Sequence, residues 1–342
     1  MTNHLKPTRK QVLSGMQPTG SLHLGRYFGA IQNWVKLQES YDCIYSIVDY
    51  HAMTMPFDPK RLREQVWELT YDIMAVGVKP ENIFIQSMIP EHAELAWIFN
   101  CVSSYGEVSR MTQFKDKSQQ INEKDKDAFI STGLFTYPVL QAADILIYRA
   151  DYVPVGKDQD QHLELTRNIA NRFNQLVGKE YFVLPETLYT DLPKVLSTAD
   201  PAKKMSASLG PKHFISAFAD AEVIRKQIKS AVTDSGDTPP GQISAGVENL
   251  FSMVKATGGH PEIEDLYEKA REGTLQYGRL KEIVADALIA MTDRFKEKRK
   301  EILEDPKVYQ EKIAASSQEI RKKAQITVRE VKDLVGLMNI PA

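Results

Sequence analysis

The sequence predicts an α/β protein in which a helix-covered parallel β-sheet is followed by a helical C-terminal domain. Three observations lead to this prediction. Strand-like and helix-like segments alternate in the first half of the chain, the β-branched runs stop after about residue 210, and the later segments favour helix. Strands separated by helices imply right-handed crossovers, which build parallel sheets covered on both faces.

The segments follow one another in an order that fits this class. Strands are predicted at 12–16, 43–48 and 82–86, and helices at 25–39, 58–76 and 91–105. A mostly helical stretch, interrupted at 151–156, covers 132–173, and a mobile loop rich in Pro, Ser, Lys and Gly is predicted at 193–210. Further helices are predicted near 218–231, 245–257, 275–297 and 307–337. Ligands of such sheets bind beyond the carboxyl ends of the strands.

These segments predict a flexible tail and two domains. The tail is 1–10, a Rossmann-like catalytic domain spans 11–215, and a helical domain spans 216–342. The catalytic domain includes a helical insertion at about 105–180 and a loop at 201–210. The three tryptophans, Trp34, Trp67 and Trp97, are predicted to be core residues.

Composition excludes several classes of protein. The chain has 342 residues with 42% hydrophobic and 26% charged residues, which is ordinary for a globular protein. No stretch approaches the roughly 20 apolar residues of a membrane span. Two cysteines, Cys43 and Cys101, predict neither a disulfide framework nor a metal site, so a reduced, cytoplasmic setting is expected.

Net charge gives no general sign of nucleic-acid binding. The formal net charge is −2, so any such binding must come from a local patch. Two basic runs exist, at 294–300 and 321–323. Each is also typical of a solvated helix face with acidic neighbours.

The first candidate phosphate motif follows the first predicted strand. The chain lacks both G-x-G-x-x-G after that strand and G-x-x-x-x-G-K-[ST], and instead runs through Q-P-T-G-S-L-H-L-G-R at 17–26 into a helix. His23 can donate to a phosphate oxygen, Gly25 permits close approach of a ligand, and Arg26 adds a cation. A helix N-terminus also favours anions. Alone, the tetrapeptide is equally typical of a structural turn.

A second motif, K-K-M-S-A-S at 203–208, follows about 180 positions later. Together the two motifs resemble the paired H-I-G-H and K-M-S-K-S motifs of class I aminoacyl-tRNA synthetases. The resemblance implies that the first motif holds ATP and that lysines of the second meet the departing pyrophosphate. Arg26 stands where His or Asn is usual, and Ala207 replaces the second lysine. Lys115 and Lys117 are expected to compensate, together with Arg26.

The wider sequence is similar to the bacterial type of tryptophanyl-tRNA synthetases. The matching segments are S-G-M-Q-P-T-G-S-L-H-L-G (14–25), I-V-D-Y-H-A-M-T (47–54), R-M-T-Q-F-K (110–115), T-Y-P-V-L-Q-A-A-D-I-L-I-Y (136–148), V-P-V-G-K-D-Q (153–159) and K-S-A-V-T-D (229–234). This resemblance implies activation of L-tryptophan with ATP and Mg²⁺, transfer to tRNA(Trp), and a homodimer.

The resemblance also implies a tryptophan site. Asp144 is expected to accept the indole N–H; a helix Asp turned to solvent, or bonded to backbone, is the alternative. The ring would be walled by Leu13, Val153 and Val155, and the ammonium and carboxylate groups held by Gln113, Tyr137 and Gln141. His51 matches a pocket residue, although a satisfied structural His is equally typical there.

The remaining expected residues handle ATP. The ATP-binding set is Gln17, Gly25, Gly156, Asp158, Gln159, Val195, Lys204, Met205 and Ser206, and the catalytic set is Gln17, His23, Arg26, Lys115, Lys117 and Lys204. Asp158 would accept from the ribose hydroxyls or cap the following helix. No metal-ligand cluster is expected, because Mg²⁺ is commonly held by phosphates and water.

Catalysis would rest on alignment and charge neutralisation, since a carboxylate is already a nucleophile. The helical domain, with its basic runs, would hold the tRNA near its anticodon. Three other functions remain open: a tyrosyl-tRNA synthetase, which also carries Gln in a Y-P-x-x-Q-x-x-D segment, a metabolite adenylyl-transferring enzyme, and a non-catalytic tRNA-binding paralogue.

Overall fold

A computed structural model describes residues 9–124, 129–154, 156, 160–189, 195–234, 238–239 and 241–340, without the side chains of 115, 120, 122 and 124. The strands are β1 (Gln11–Met16), β2 (Asp42–Ile47), β3 (Ile83–Ile85), β4 (Tyr152–Pro154) and β5 (Glu186–Leu188). The helices of the first half are α1 (Leu24–Arg26), α2 (Gln32–Leu37), α3 (Asp49–Ala52), α4 (Pro59–Ala75), α5 (Glu91–Val102), α6 (Tyr105–Ser109), α7 (Thr112–Lys124), α8 (Thr132–Leu146) and α9 (Asp160–Val177). The later helices are α10 (Ala221–Lys229), α11 (Ala245–Ala256), α12 (Ile263–Arg271), α13 (Tyr277–Glu304) and α14 (Pro306–Leu334).

The five strands form one parallel sheet in the order β3-β2-β1-β4-β5. The α/β fold class predicted from the sequence is therefore confirmed. The strand order reverses between β1 and β4, and the crevice at such a reversal is where open parallel sheets bind ligands. The predicted interruption at 151–156 contains strand β4, and α12 lies where no helix was predicted.

The core lies on both faces of the sheet because alternate strand residues point to opposite sides. Val12 packs with Tyr45, Ile47 and helices that include α4, α11 and α13. Leu13 packs with Ile44, Phe84 and helices α5, α8, α9 and α14.

The prediction that Trp97 is a core residue is wrong. Trp34 is buried and stacks on Tyr45, with ring centroids 4.5 Å apart, and Trp67 is half-buried against the same core. Trp97 is 71% exposed. Helix α5 buries Leu95 and Phe99, and position 97 faces away from them.

The later helices pack back onto the sheet. Helices α10, α11 and α13 share the core that contains Val12, and α14 contacts β3 and α5. Among the described residues no helix is long and apolar enough to cross a membrane. The division of the chain at 215/216 remains a prediction.

Several cations of the basic runs bind acids within the chain. Arg299 donates to the buried Asp72 (2.7 Å), and Lys323 donates to Asp42 (3.1 Å). Arg321 binds both carboxylate oxygens of Glu91, at 2.9 and 3.0 Å. These contacts favour a structural role for the three residues.

Candidate functional site

The first motif begins where β1 ends at the sheet's ligand edge. His23 is the N-cap of α1, and its Nδ1 atom accepts from the backbone N–H of Arg26 at 3.3 Å. Burial, followed by the nearby Arg26 charge, lowers the pKa of His23 to about 4. The imidazole is therefore neutral near pH 7, and its Nε2–H is the one donor left for a ligand.

Arg26 braces the turn that precedes this helix. Its guanidinium donates to the carbonyl oxygens of Gln17 and Thr19, both at 2.8 Å. Gln17 itself is half-buried beside the end of β1. The two bonds direct the Arg26 fork at the protein backbone, which supports a positioning role for this residue.

The second motif lies directly against the first. A Cβ atom at Gly25 would stand 2.9 Å from the Cβ of Met205, so the backbone of α1 and the buried Met205 pack closely. The N–H of Met205 donates to the Val195 carbonyl at 3.4 Å. The Ser206 hydroxyl accepts from the N–H of Ser208 at 3.3 Å. The structure therefore brings together two motifs that are distant in sequence.

The two neighbouring lysines of the loop differ in their surroundings. Lys203 forms an ion pair with Asp200 at 2.9 Å. Lys204 is exposed, and no acid among the described residues lies within 4.0 Å of its amino group. Lys204 is thus the loop cation whose charge is open to a ligand.

A buried asparagine holds the back of this loop and was not identified from the sequence. Asn249, on α11, accepts from the N–H of Leu196 at 2.8 Å and donates to its carbonyl at 3.1 Å. Leu196 forms an antiparallel bridge with Lys204. An Asn within the apolar stretch of α11 was the available signal.

Asp144 is the centre of a buried polar cluster. Its Oδ1 atom accepts from Gln86 Nε2 at 2.8 Å and lies 2.7 Å from His92 Nδ1, while Oδ2 lies 2.7 Å from His51 Nε2. His92 Nε2 lies 2.7 Å from the hydroxyl of Tyr148. Burial alone would raise the pKa of Asp144, but the bonds from His51 and His92 hold it at about 2.

Asp144 and His51 were predicted site residues, whereas Gln86, His92 and Tyr148 were not predicted from the sequence. Gln86 and His92 are polar residues that follow β3 within Q-S-M-I-P-E-H, which was the signal available. The solvent-exposed alternative for Asp144 is excluded, since its residue is 4% exposed.

Two other predicted residues share one face of α8 with Asp144. Tyr137 and Gln141 lie seven and three positions before it, which is helical spacing. The Tyr137 hydroxyl donates to Gln113 Oε1 and contacts His162 Nε2, both at 3.0 Å. Burial raises the pKa of Tyr137 to about 12.

Lys117 lies beside this face. Its Nζ atom is 4.4 Å above the centre of the Tyr137 ring, and burial lowers the pKa of the amino group. The structure therefore places Lys117 with the expected tryptophan residues.

Two of the residues predicted to wall the ring lie on the neighbouring strands β1 and β4. Leu13 on β1 and Val153 on β4 are buried in the cluster that contains Ala142 and Ala143 of α8. Gly156 is exposed after β4. Val155, Asp158, Gln159 and the side chain of Lys115 lie outside the described residues. Within the described part of the chain, no group of three His, Cys, Asp or Glu residues is placed to hold a metal ion.

The chain has relatives of known class. A family model described as tRNA synthetases class I (W and Y) matches residues 6–293. The tryptophan–tRNA ligase of Clostridium acetobutylicum is 45% identical over 337 residues, which cover 96% of this chain and 98% of that protein. Tryptophan–tRNA ligase 2 of Streptomyces avermitilis is 43% identical over 339 residues, 96% of this chain and 98% of that protein.

A solved structure is also similar. Tryptophanyl-tRNA synthetase from Campylobacter jejuni, complexed with ADP and tryptophan, matches with a TM-score of 0.79 and 34% identity, covering 96% of this chain and 100% of that one. Since the family model spans both motifs and the relatives match over almost their full length, the chain belongs to the class I tRNA synthetases of the tryptophan and tyrosine family.

Proposed function

We propose that this protein activates L-tryptophan with ATP and transfers it to tRNA(Trp). The tryptophan carboxylate attacks the α-phosphorus of ATP, giving tryptophanyl-adenylate and pyrophosphate. A hydroxyl at the tRNA 3′ end then attacks the carbonyl carbon, and AMP leaves. The observation that carries the amino-acid assignment is the buried carboxylate of Asp144, ionised among apolar side chains on the α8 face that also carries Tyr137.

The first step needs alignment and cations but no base. The Nε2–H of His23 and the ammonium of Lys204 supply donors for the phosphates, from two motifs in contact. Arg26 orders the backbone at Gln17, next to the phosphates. Gly25, Met205, Ser206 and Val195 shape this ATP side, and Gly156, Asp158, Gln159 and Lys115 are proposed to complete it.

Mg²⁺ bound to ATP would supply further neutralisation of phosphate charge. Mg²⁺ is commonly held by phosphates and water, with few protein ligands.

The amino acid would lie between the sheet and α8. Asp144 accepts the indole N–H, while Leu13, Val153 and Val155 contact the ring. Tyr137, Gln113 and Gln141 are proposed to hold the ammonium and carboxylate groups, with His51 lining the pocket. Leaving a buried carboxylate without a donor is costly. Amino acids whose side chains lack an N–H should therefore bind poorly.

ATP–pyrophosphate exchange tests this assignment. Exchange should depend on tryptophan and not on tyrosine. Exchange driven only by tyrosine would identify the tyrosyl enzyme. No exchange with either amino acid would leave the non-catalytic paralogue or the metabolite adenylyl-transferring enzyme.

The two loop lysines give a matched pair for the phosphate role. Lys204→Ala should lower kcat for exchange by about 100-fold, because its charge meets the departing pyrophosphate. Lys203→Ala should change it by less than about threefold, since Lys203 is paired with Asp200. Equal losses in the two variants would remove Lys204 from this role.

We also propose a cytoplasmic homodimer whose later helices bind tRNA near the anticodon. The exposed aromatic rings of Trp97 and Tyr105 are an apolar surface that a second copy could cover. A sedimentation coefficient of the monomer at micromolar concentration would overturn the dimer.

A further inference from the structure

The two carboxylate oxygens of Asp144 have different numbers of hydrogen-bond partners. Oδ1 has two neighbours within 2.8 Å, Gln86 Nε2 and His92 Nδ1, whereas among the described residues Oδ2 has His51 Nε2 alone. A carboxylate has about four acceptor positions, two on each oxygen. Oδ1 is therefore filled, and the position left for another donor lies on Oδ2.

The donors to Oδ1 are themselves held in one orientation. The Oε1 atom of Gln86 accepts from the N–H of Tyr50 at 3.1 Å, so the amide nitrogen must face Asp144. A carboxylate only accepts, so Nδ1 of His92 carries the proton. Nε2 of a neutral His92 then accepts from the hydroxyl of Tyr148 at 2.7 Å. Burial raises the pKa of Tyr148 well above its usual value, so this hydroxyl keeps its proton.

We propose that Gln86 and His92, the latter oriented by Tyr148, are positioning residues that fix the Asp144 carboxylate so that Oδ2 alone reads the substrate N–H. The inference rests on the proposed tryptophan specificity. His92 is fully buried and stacks on Phe84, with ring centroids 5.4 Å apart. Two saturated positions on Oδ1 prevent the carboxylate from rotating and keep it ionised beside the ring pocket.

Within the part of the chain that the structure describes, three titratable groups face Asp144. These are His51 from α3, His92 from α5, and Tyr148 after α8. The negative charge of Glu91 contributes to the raised pKa of Tyr148, and Glu91 is itself bound by Arg321. Burial raises the pKa of Asp144, and the hydrogen bond from His92 opposes that effect. Without this donor the pKa of Asp144 rises, and the carboxylate becomes protonated as the pH falls towards the new pKa.

Two substitutions of His92 separate the bond to Asp144 from simple packing. The amide nitrogen of Asn stands near the place of His Nδ1, and that of Gln stands near Nε2. His92→Asn therefore keeps a donor for Asp144, while His92→Gln keeps a contact with Tyr148 and loses that donor. Both variants lose the same ring stacking on Phe84.

The measurement is ATP–pyrophosphate exchange by the full-length enzyme across about pH 5 to 8. His92→Gln should raise KM for tryptophan about 10- to 100-fold and leave KM for ATP within about twofold. Its kcat/KM for tryptophan should fall more steeply towards acidic pH than that of the wild type. His92→Asn should recover most of both effects.

Equal impairment of the Asn and Gln variants, or an unchanged tryptophan KM and pH profile in His92→Gln, would overturn the inference while the proposed function stands. A wild type without tryptophan-dependent exchange would overturn the proposed function. Tyr148→Phe removes one hydroxyl and provides a milder second variant. We expect the same acid limb with a smaller rise in KM, and an unchanged profile contradicts the orienting role of Tyr148.

Discussion

At the scale of single residues, the first motif contains one side chain with a donor for a ligand and one that orders the backbone. His23 and Arg26 were both predicted to meet phosphate. The structure leaves a donor of His23 open and directs Arg26 to the carbonyls of Gln17 and Thr19. A cation next to a predicted binding loop can therefore order the loop, and sequence alone does not distinguish the two roles.

His23 should make stability depend on pH. The usual His pKa of 6.5 applies to the unfolded chain, and burial lowers it to about 4 in the folded protein. As pH falls below 6.5 the unfolded chain binds the proton first. Stability contributed by the neutral ring is thus complete above that pH and lost on the way to about 4, on the order of 2 to 3 kcal/mol.

His23→Asn tests this dependence, because Asn also caps helices but does not titrate. Urea unfolding at several pH values between about 4.5 and 7.5 should show a shallower slope in the variant. Parallel slopes for the two proteins would assign the dependence to other groups.

At the scale of elements, the long periodic helices and the first three strands were predicted, while α12 and the short strands β4 and β5 were not. The helices that became α4 and α13 have clear amphipathic patterns, while β4 is three residues long and ends in Pro154. Such a strand has too little sequence to show alternation. Gln86, His92 and Tyr148 were missed for a related reason. Gln86 and His92 lie 58 and 52 positions before Asp144 in the sequence, and only the fold sets the distances within the cluster.

Asn249 should connect α11 to the loop that carries the second motif. Asn249→Ala leaves both backbone groups of Leu196 without their partner, so the free energy of unfolding should fall by about 1 to 3 kcal/mol. KM for ATP should rise while KM for tryptophan stays near its original value. Asn249→Asp can still accept from Leu196 but cannot donate to it, and should lie between the two. A rise in both KM values by the same factor would contradict a role confined to the loop.

At the scale of the whole molecule, helix α14 joins the C-terminal helices to the segments around β3 and α5. Ser317 accepts from the N–H of Ile85 at 3.4 Å, and Arg321 binds Glu91. These partners precede Gln86 and His92 by one residue each. Helix α14 therefore braces the two segments that hold Asp144, although its basic run is also typical of a tRNA-binding surface.

A double-mutant cycle measures this brace. Arg321→Met leaves the mostly buried Glu91 unpaired, and the free energy of unfolding should fall by about 1 to 3 kcal/mol. In the Glu91→Gln background the same change should cost clearly less, because no charge is left unpaired. Additive losses in urea unfolding would show that the two side chains do not interact.

The contact between Gly25 and Met205 has a consequence for directed evolution. The two positions are about 180 apart in the sequence, so a library that randomises one motif would ordinarily leave the other fixed. A Cβ at position 25 would lie 2.9 Å from the Cβ of Met205 and 3.1 Å from its carbonyl oxygen, so even alanine there has no room unless the backbone at residue 205 retreats. Useful variants at position 25 should accordingly be sought together with changes in the second motif that move this backbone.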